Sequence, residues 1–218
     1  MKIGVFDSGI GGKSIAGRLS KDYPDHEVLY VDDHENVPYG NRPTEDIIEL
    51  TDAAIQPLFT QNCDVIVLAC NTATAAAIEV LRAKCPAMQF IGLEPMIKPA
   101  VALSKARIIA VCATQATLNS DRYQKLKKKY ASHTKILEPD CSQWAYLIEN
   151  NKMDIQKIES AINDVCNEGA DVIVLACTHY HWIKNEIMSV ANKRATIIDP
   201  SEAISRRLKA VLEAVVSF

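Results

Sequence analysis

Seven consecutive residues occur twice in this chain of 218. Asp64-Val65-Ile66-Val67-Leu68-Ala69-Cys70 reappears as Asp171-Val172-Ile173-Val174-Leu175-Ala176-Cys177. Each run is short, apolar and rich in β-branched residues, the pattern of a parallel strand buried on both faces. Each cysteine therefore sits at the carboxyl end of a strand, where open α/β sheets place their ligand crevices. Small polar residues follow both, Asn71-Thr72 after the first and Thr178-His179 after the second. Two equivalent strands suggest two related halves with one thiol each on a shared cleft. Acid/base groups opposed in that way are what inverting a stereocentre requires.

The rest of the chain agrees with a duplicated α/β fold. Strand patterns fall at 2–6, 27–31, 64–69, 89–92, 107–112, 134–137, 171–176 and 195–198. Helical patterns fill 11–21, 44–61, 73–84, 97–104, 117–130, 154–168, 181–192 and 201–216. This alternation predicts βαβ units and mainly parallel sheets flanked by helices. Asp7 precedes Cys70 by 63 residues and Ala113 precedes Cys177 by 64, so the halves should share one strand order. Glu94-Pro95-Met96-Ile97-Lys98-Pro99, with its two prolines, is the best crossover. The expected first domain is 1–93 plus 201–218, the second 94–200, with the last helix packing back on the first.

Composition narrows the function classes. A hydrophobic fraction of 48% supports a sizeable core. Lys and Arg number 24 against 27 Asp and Glu, a balance that argues against nucleic acid or an anionic membrane as partner. The densest basic run, Lys125 with Lys127, Lys128 and Lys129, reads as a solvated helix face. The seven cysteines form no C-x-x-C pair, so neither a zinc site nor a thioredoxin-like site is signalled, and their odd count and strand-embedded positions argue against a disulfide framework. The apolar start before Asp7 is too short for a signal peptide, and no run is long enough for a membrane span. The expectation is a cytoplasmic protein.

Asp7-Ser8-Gly9-Ile10-Gly11-Gly12 follows the first strand and opens a helix. Glycines and helix-start N–H groups there suit an anion, or the segment is only a tight turn capped by Asp7 or Ser8. Cys70 and Cys177 could be small buried hydrophobes. Their repetition and polar followers favour reactive thiols, acidified at a helix start. The other five cysteines read as packing. His179 could tune Cys177, and Asp7 could play the matching part for Cys70. Pro38-Tyr39-Gly40 reads as a turn.

Taken together, Ile3–Gly12 (IGVFDSGIGG), Pro38–Gly40 (PYG), Ala69–Ala73 (ACNTA) and Ala176–Tyr180 (ACTHY) resemble the aspartate/glutamate racemase superfamily, and within it the cofactor-independent glutamate racemases. The resemblance spans nearly the whole chain. It implies two pseudo-symmetric α/β domains with the active site between them. It implies Cys70 and Cys177 as paired acid and base, assisted by Asp7 and His179. It further implies Asp7, Ser8, Tyr39, Gly40, Asn71, Thr72, Thr178 and His179 as substrate-site residues, with Thr114 and Thr117 from a further loop. Glu149 falls where the family often places a glutamate. The substrate would be glutamate, the cofactor none, the product D-glutamate for peptidoglycan; a homodimer is left open. The chain departs from the family at Ala176, His181-Trp182, Ala113 and Ser142, which bears on side-chain preference and subunit packing. An aspartate or broader amino-acid racemase, a lyase or isomerase acting on a dicarboxylate, and a binding protein on the same scaffold are the rival readings. The intact Asp7, Cys70, Cys177 and His179 argue against the last.

Overall fold

The computed structural model describes residues 1–216, so 217–218 of the expected first domain lie outside the described residues. Eight strands form two four-stranded parallel sheets. The first contains β1 (Lys2–Asp7), β2 (Glu27–Asp32), β3 (Val65–Leu68) and β4 (Gln89–Gly92), in the order β2-β1-β3-β4. The second contains β5 (Ile108–Cys112), β6 (Lys135–Leu137), β7 (Val172–Leu175) and β8 (Thr196–Ile198), in the order β6-β5-β7-β8. The two orders are the same, as the repeat predicts. Every strand matches its sequence-based expectation to within about one residue at each end.

The repeated segments are the inner strands β3 and β7. All eight of their residues are buried, because helices cover both faces of each sheet. On one face of the first sheet, Ile3, Val5, Val67 and Ile91 pack against Ile15 and Leu19 of α1 (Lys13–Asp22) and against Leu208 and Leu212 of α11 (Ser201–Val216). On the other, Phe6, Ile66 and Leu68 meet Ile47 of α2 (Thr44–Ala54), Leu58 of α3 (Gln56–Thr60) and Ala77 of α4 (Asn71–Lys84). In the second sheet, Val111 and Val174 face Ala100 of α5 (Ile97–Leu103). Cys112 and Leu175 face Ile148 of α8 (Trp144–Glu149), Ile162 of α9 (Ile155–Asn167) and Ile187 of α10 (Lys184–Ala191).

The helices depart from expectation in instructive ways. The stretch 44–61 is two helices, because Pro57 in the first turn of α3 lacks an N–H and clashes with the preceding turn. The stretch expected as one helix over 117–130 divides into α6 (Gln115–Asn119) and α7 (Asp121–Tyr130). Ser120 is extended there, and its side chain caps α7 by accepting from the Tyr123 N–H at 3.2 Å. Helix α8 lies in a stretch for which the sequence pattern predicts no element. Only residues 184–191 of the expected helix 181–192 are α-helical; residues 178–183 form a 3₁₀ stretch. Among the described residues no helix is long and apolar enough to cross a membrane.

Leu208 is fully buried on the first sheet, near the far end of the chain from it. Leu208→Ala should cost about 3 kcal/mol through a cavity the packed sheet cannot close. Urea unfolding checks this; a change under about 0.5 kcal/mol would mean that α11 does not support the first sheet.

Candidate active site

All the predicted site residues lie at or just past the carboxyl ends of strands. Asp7 and Ser8 end β1; Tyr39 and Gly40 follow β2 in a short 3₁₀ turn; Cys70, Asn71 and Thr72 link β3 to α4. Thr114 and Thr117 follow β5, and Cys177, Thr178 and His179 follow β7. All are buried. The two sheets point these ends at one another, and hydrogen bonds join them across the seam. Thr178 donates to Asp7 Oδ1 at 2.9 Å. Thr72 shares a hydrogen bond with Thr114 at 2.8 Å, and Thr114 donates to Thr117 at 3.0 Å.

Two glycines permit this closeness. A Cβ on Gly11 would stand 2.6 Å from Thr178 Oγ1 and 2.7 Å from the His179 nitrogen. A Cβ on Gly40 would stand 2.8 Å from Thr114 Cβ. The first contact is largely with backbone, which cannot move aside.

Each thiol has its own surroundings. Cys70 caps α4, accepting from the Ala73 N–H at 3.4 Å and sharing a hydrogen bond with Ser8 at 3.4 Å. A thiol at a helix start is expected to be acidified. Here burial outweighs that effect and, with the nearby Asp7 carboxylate and Cys177, raises the Cys70 pKa to about 12 against the bonds from Ser8 and Ala73. Cys70 therefore rests as a protonated thiol. Cys177 lies 3.8 Å from His179 Nδ1. Burial depresses the His179 pKa, but its bonds to Cys177 and to Glu149 win and lift it to about 10. An imidazolium thus stands beside Cys177.

Asp7 does not bond Cys70 directly. Its carboxylate accepts from Thr178 and, at 3.2 Å, from the Gly9 N–H, and it acts on Cys70 through its field. Burial raises its pKa to about 6, opposed by the His179 charge and these hydrogen bonds. Tyr39 packs on Phe6 with ring centroids 6.4 Å apart and donates to Asp33 at 2.6 Å, which fixes its ring in place. Asn71 differs from all of these: it is buried, and neither polar atom of its amide has a partner. A buried amide with both ends open is a place for a ligand.

Glu149 is the functional residue that motif reading left on the margin. It accepts from His179 Nε2 at 2.5 Å, from the Ile10 N–H at 3.1 Å and from His34 at 3.0 Å. Burial pushes its pKa up, but the bond and charge of His179 overcome this and hold it below the usual glutamate value. The glycine-rich turn therefore does bind an anion at a helix start, and the anion is the protein's own Glu149. The spacing of Trp144, Ala145 and Ile148 on one face was the available sign that this segment is helical.

Comparison with known proteins places the chain among racemases. The sequence profile of the Asp/Glu/Hydantoin racemase family matches residues 13–208, and the chain belongs to that family. A glutamate racemase from Ralstonia pickettii is 37% identical over 216 residues, covering 97% of this chain and 76% of the relative. The crystal structure of a glutamate racemase isoform from Bacillus anthracis superposes with a TM-score of 0.84 at 28% identity, covering 97% of this chain and 81% of that one. That of the Francisella tularensis glutamate racemase in complex with D-glutamate gives 0.82 at 28% identity, covering 98% and 81%.

The fold favours the protonated form of Asp7, because its folded pKa of about 6 exceeds the ordinary aspartate value of 3.8. That stabilisation is fully present below pH 3.8 and is lost as pH rises through 6. Asp7→Asn cannot ionise. Its stability relative to wild type should therefore increase from about pH 4 to about pH 8 in urea unfolding. A pH-independent difference would show that Asp7 is not raised by burial.

Proposed function

We propose that the protein interconverts L- and D-glutamate without a cofactor, through proton exchange at the substrate Cα between Cys70 and Cys177. The observation that carries this reading is the placement of two equivalent thiols. They end equivalent inner strands of two like sheets, each with its own polar partners, on a seam bridged by Thr178 and Asp7. The division into units 1–93 plus 201–218 and 94–200 is part of the proposal, since each unit would supply one thiol. The names and bound ligand of the racemases described above support glutamate as substrate.

The resting charges suggest an order of events. Beside the His179 imidazolium, Cys177 acts as the base and removes the Cα proton. Cys70, held protonated by burial, delivers a proton to the opposite face. Starting from the other enantiomer, the two exchange roles. The Cα proton is only weakly acidic, so the developing negative charge needs fixed donors. Asn71, Ser8, Thr72, Thr114, Thr117 and Thr178 supply donor groups for the substrate carboxylates, and Tyr39 and Gly40 shape the wall. Asp7 assists Cys70 and His179 assists Cys177, each worth ~10²–10⁴-fold as acid/base partners. One chain furnishes every residue of this scheme. The product would be cytoplasmic D-glutamate for peptidoglycan.

Cys70→Ser and Cys177→Ser should each remove nearly all turnover of L-glutamate, because serine is far less acidic than cysteine. Chiral chromatography of the product measures this, and a variant racemising at the wild-type rate would take that cysteine out of the mechanism. In the same assay L-glutamate should be turned over with a higher kcat/KM than L-aspartate. The reverse order would reassign the substrate while leaving the thiol chemistry in place.

A further inference from the structure

We propose that His181, held in its Nδ1–H tautomer by Ser14, is a positioning residue for the active site. The inference rests on the racemase reading and deepens it. His181 and Trp182 stand where the family pattern continues differently, and nothing in the scheme above uses them.

The tautomer follows from counting protons. Ser14 Oγ lies 2.9 Å from the Gly11 carbonyl oxygen and 3.2 Å from His181 Nδ1. A carbonyl oxygen only accepts, so the single hydroxyl proton of Ser14 goes to Gly11. His181 Nδ1 must then carry a proton and donate it to Ser14. The ring is neutral, since burial, reinforced by Lys184 and His179, lowers its pKa against the pull of Asp199. Its Nε2 is a bare acceptor, and that atom is buried without a partner. A ring with an orphaned nitrogen is retained at a cost, which points to work done by the other nitrogen.

The bond crosses the seam at a consequential place. Ser14 belongs to α1, next to the glycine turn that holds Glu149 and abuts Thr178. His181 belongs to the 3₁₀ stretch 178–183 that carries Thr178 and His179. Runs of this helix longer than about four residues are uncommon because their hydrogen bonds are poor. This one has six, and successive side chains tether it from outside. Thr178 bonds Asp7, His179 bonds Glu149, Tyr180 bonds the Cys141 carbonyl, and His181 bonds Ser14. The last tether holds the second half of the stretch against α1, whose preceding residue Gly12 donates its N–H to Asp7. Without it, Thr178 and His179 lose one of the tethers that hold them beside Asp7 and Cys177.

The test has two arms. Ring ¹⁵N spectra of the substrate-free protein report which nitrogen of His181 bears the proton; Nδ1 is expected in wild type, and Nε2 would overturn the proposal. In the kinetic arm, Ser14→Ala and His181→Leu should each lower kcat for glutamate about tenfold, the scale of one hydrogen bond. KM should change less than about threefold, as expected when reacting groups are misaligned. The double variant should be no slower than either single one. His181→Asn, whose amide nitrogen stands near the position of Nδ1, should recover kcat to within about threefold of wild type. Multiplicative losses, or failure of Asn to rescue, would overturn the positioning role. A wild-type protein inactive on glutamate would instead overturn the racemase reading, and the ring spectrum would then decide the bond by itself.

Discussion

The carboxylate of Glu149 is almost wholly buried and takes donors from three separated parts of the chain. A charge taken out of water is tolerated only where fixed dipoles and an opposite charge replace the water. Ile10 and His34 supply donors beside the first sheet, and His179 supplies the cation beside the second. The requirement of one carboxylate thus fixes the glycine turn, the loop after β2 and the segment after β7 relative to one another. Asp7 repeats the arrangement a few residues away, with Thr178 reaching across from the second sheet. The close approach of Gly11 to Thr178 follows from these two sets of bonds, and so does the pairing of thiols that ends the central strands.

That arrangement also separates the two chemically similar cysteines. Cys70 meets a carboxylate and deep burial, which hold its proton on. Cys177 meets an imidazolium kept charged by its bonds to Cys177 itself and to Glu149. Asymmetry of this kind lets a site of two like groups begin with one acid and one base. The same burial leaves an Asp7 carboxyl that the fold favours in its protonated form.

Much of this was legible from residues alone, and the pattern of failure is physical. The strand repeat placed Cys70 and Cys177 correctly because a run such as Val65–Leu68 has few alternatives to a buried parallel strand. Asp7, Ser8, Thr114 and Thr178 followed, since each ends or succeeds such a strand. Local chemistry was less transparent. The helix-start position of Cys70 predicted an acidified thiol, but burial is a property of the whole fold and it dominates. Helix α8 is six residues long, too short for its periodicity to stand out, so Glu149 was visible only through resemblance. The divisions at Pro57 and Ser120 were written in residue types that favour breaks and caps. They were obscured because the apolar pattern continues across them.

The central claim is that the proton removed from one face of the substrate is not the proton returned to the other. It is tested by following L-glutamate in D₂O at early times, with deuterium at Cα read separately in each enantiomer by mass spectrometry after chiral separation. Two opposed thiols predict D-glutamate carrying solvent deuterium from the first turnovers while the remaining L-glutamate still carries protium. D-glutamate that retains the substrate's own proton would require a single group serving both faces, and would contradict the assignment of Cys70 and Cys177 as a pair.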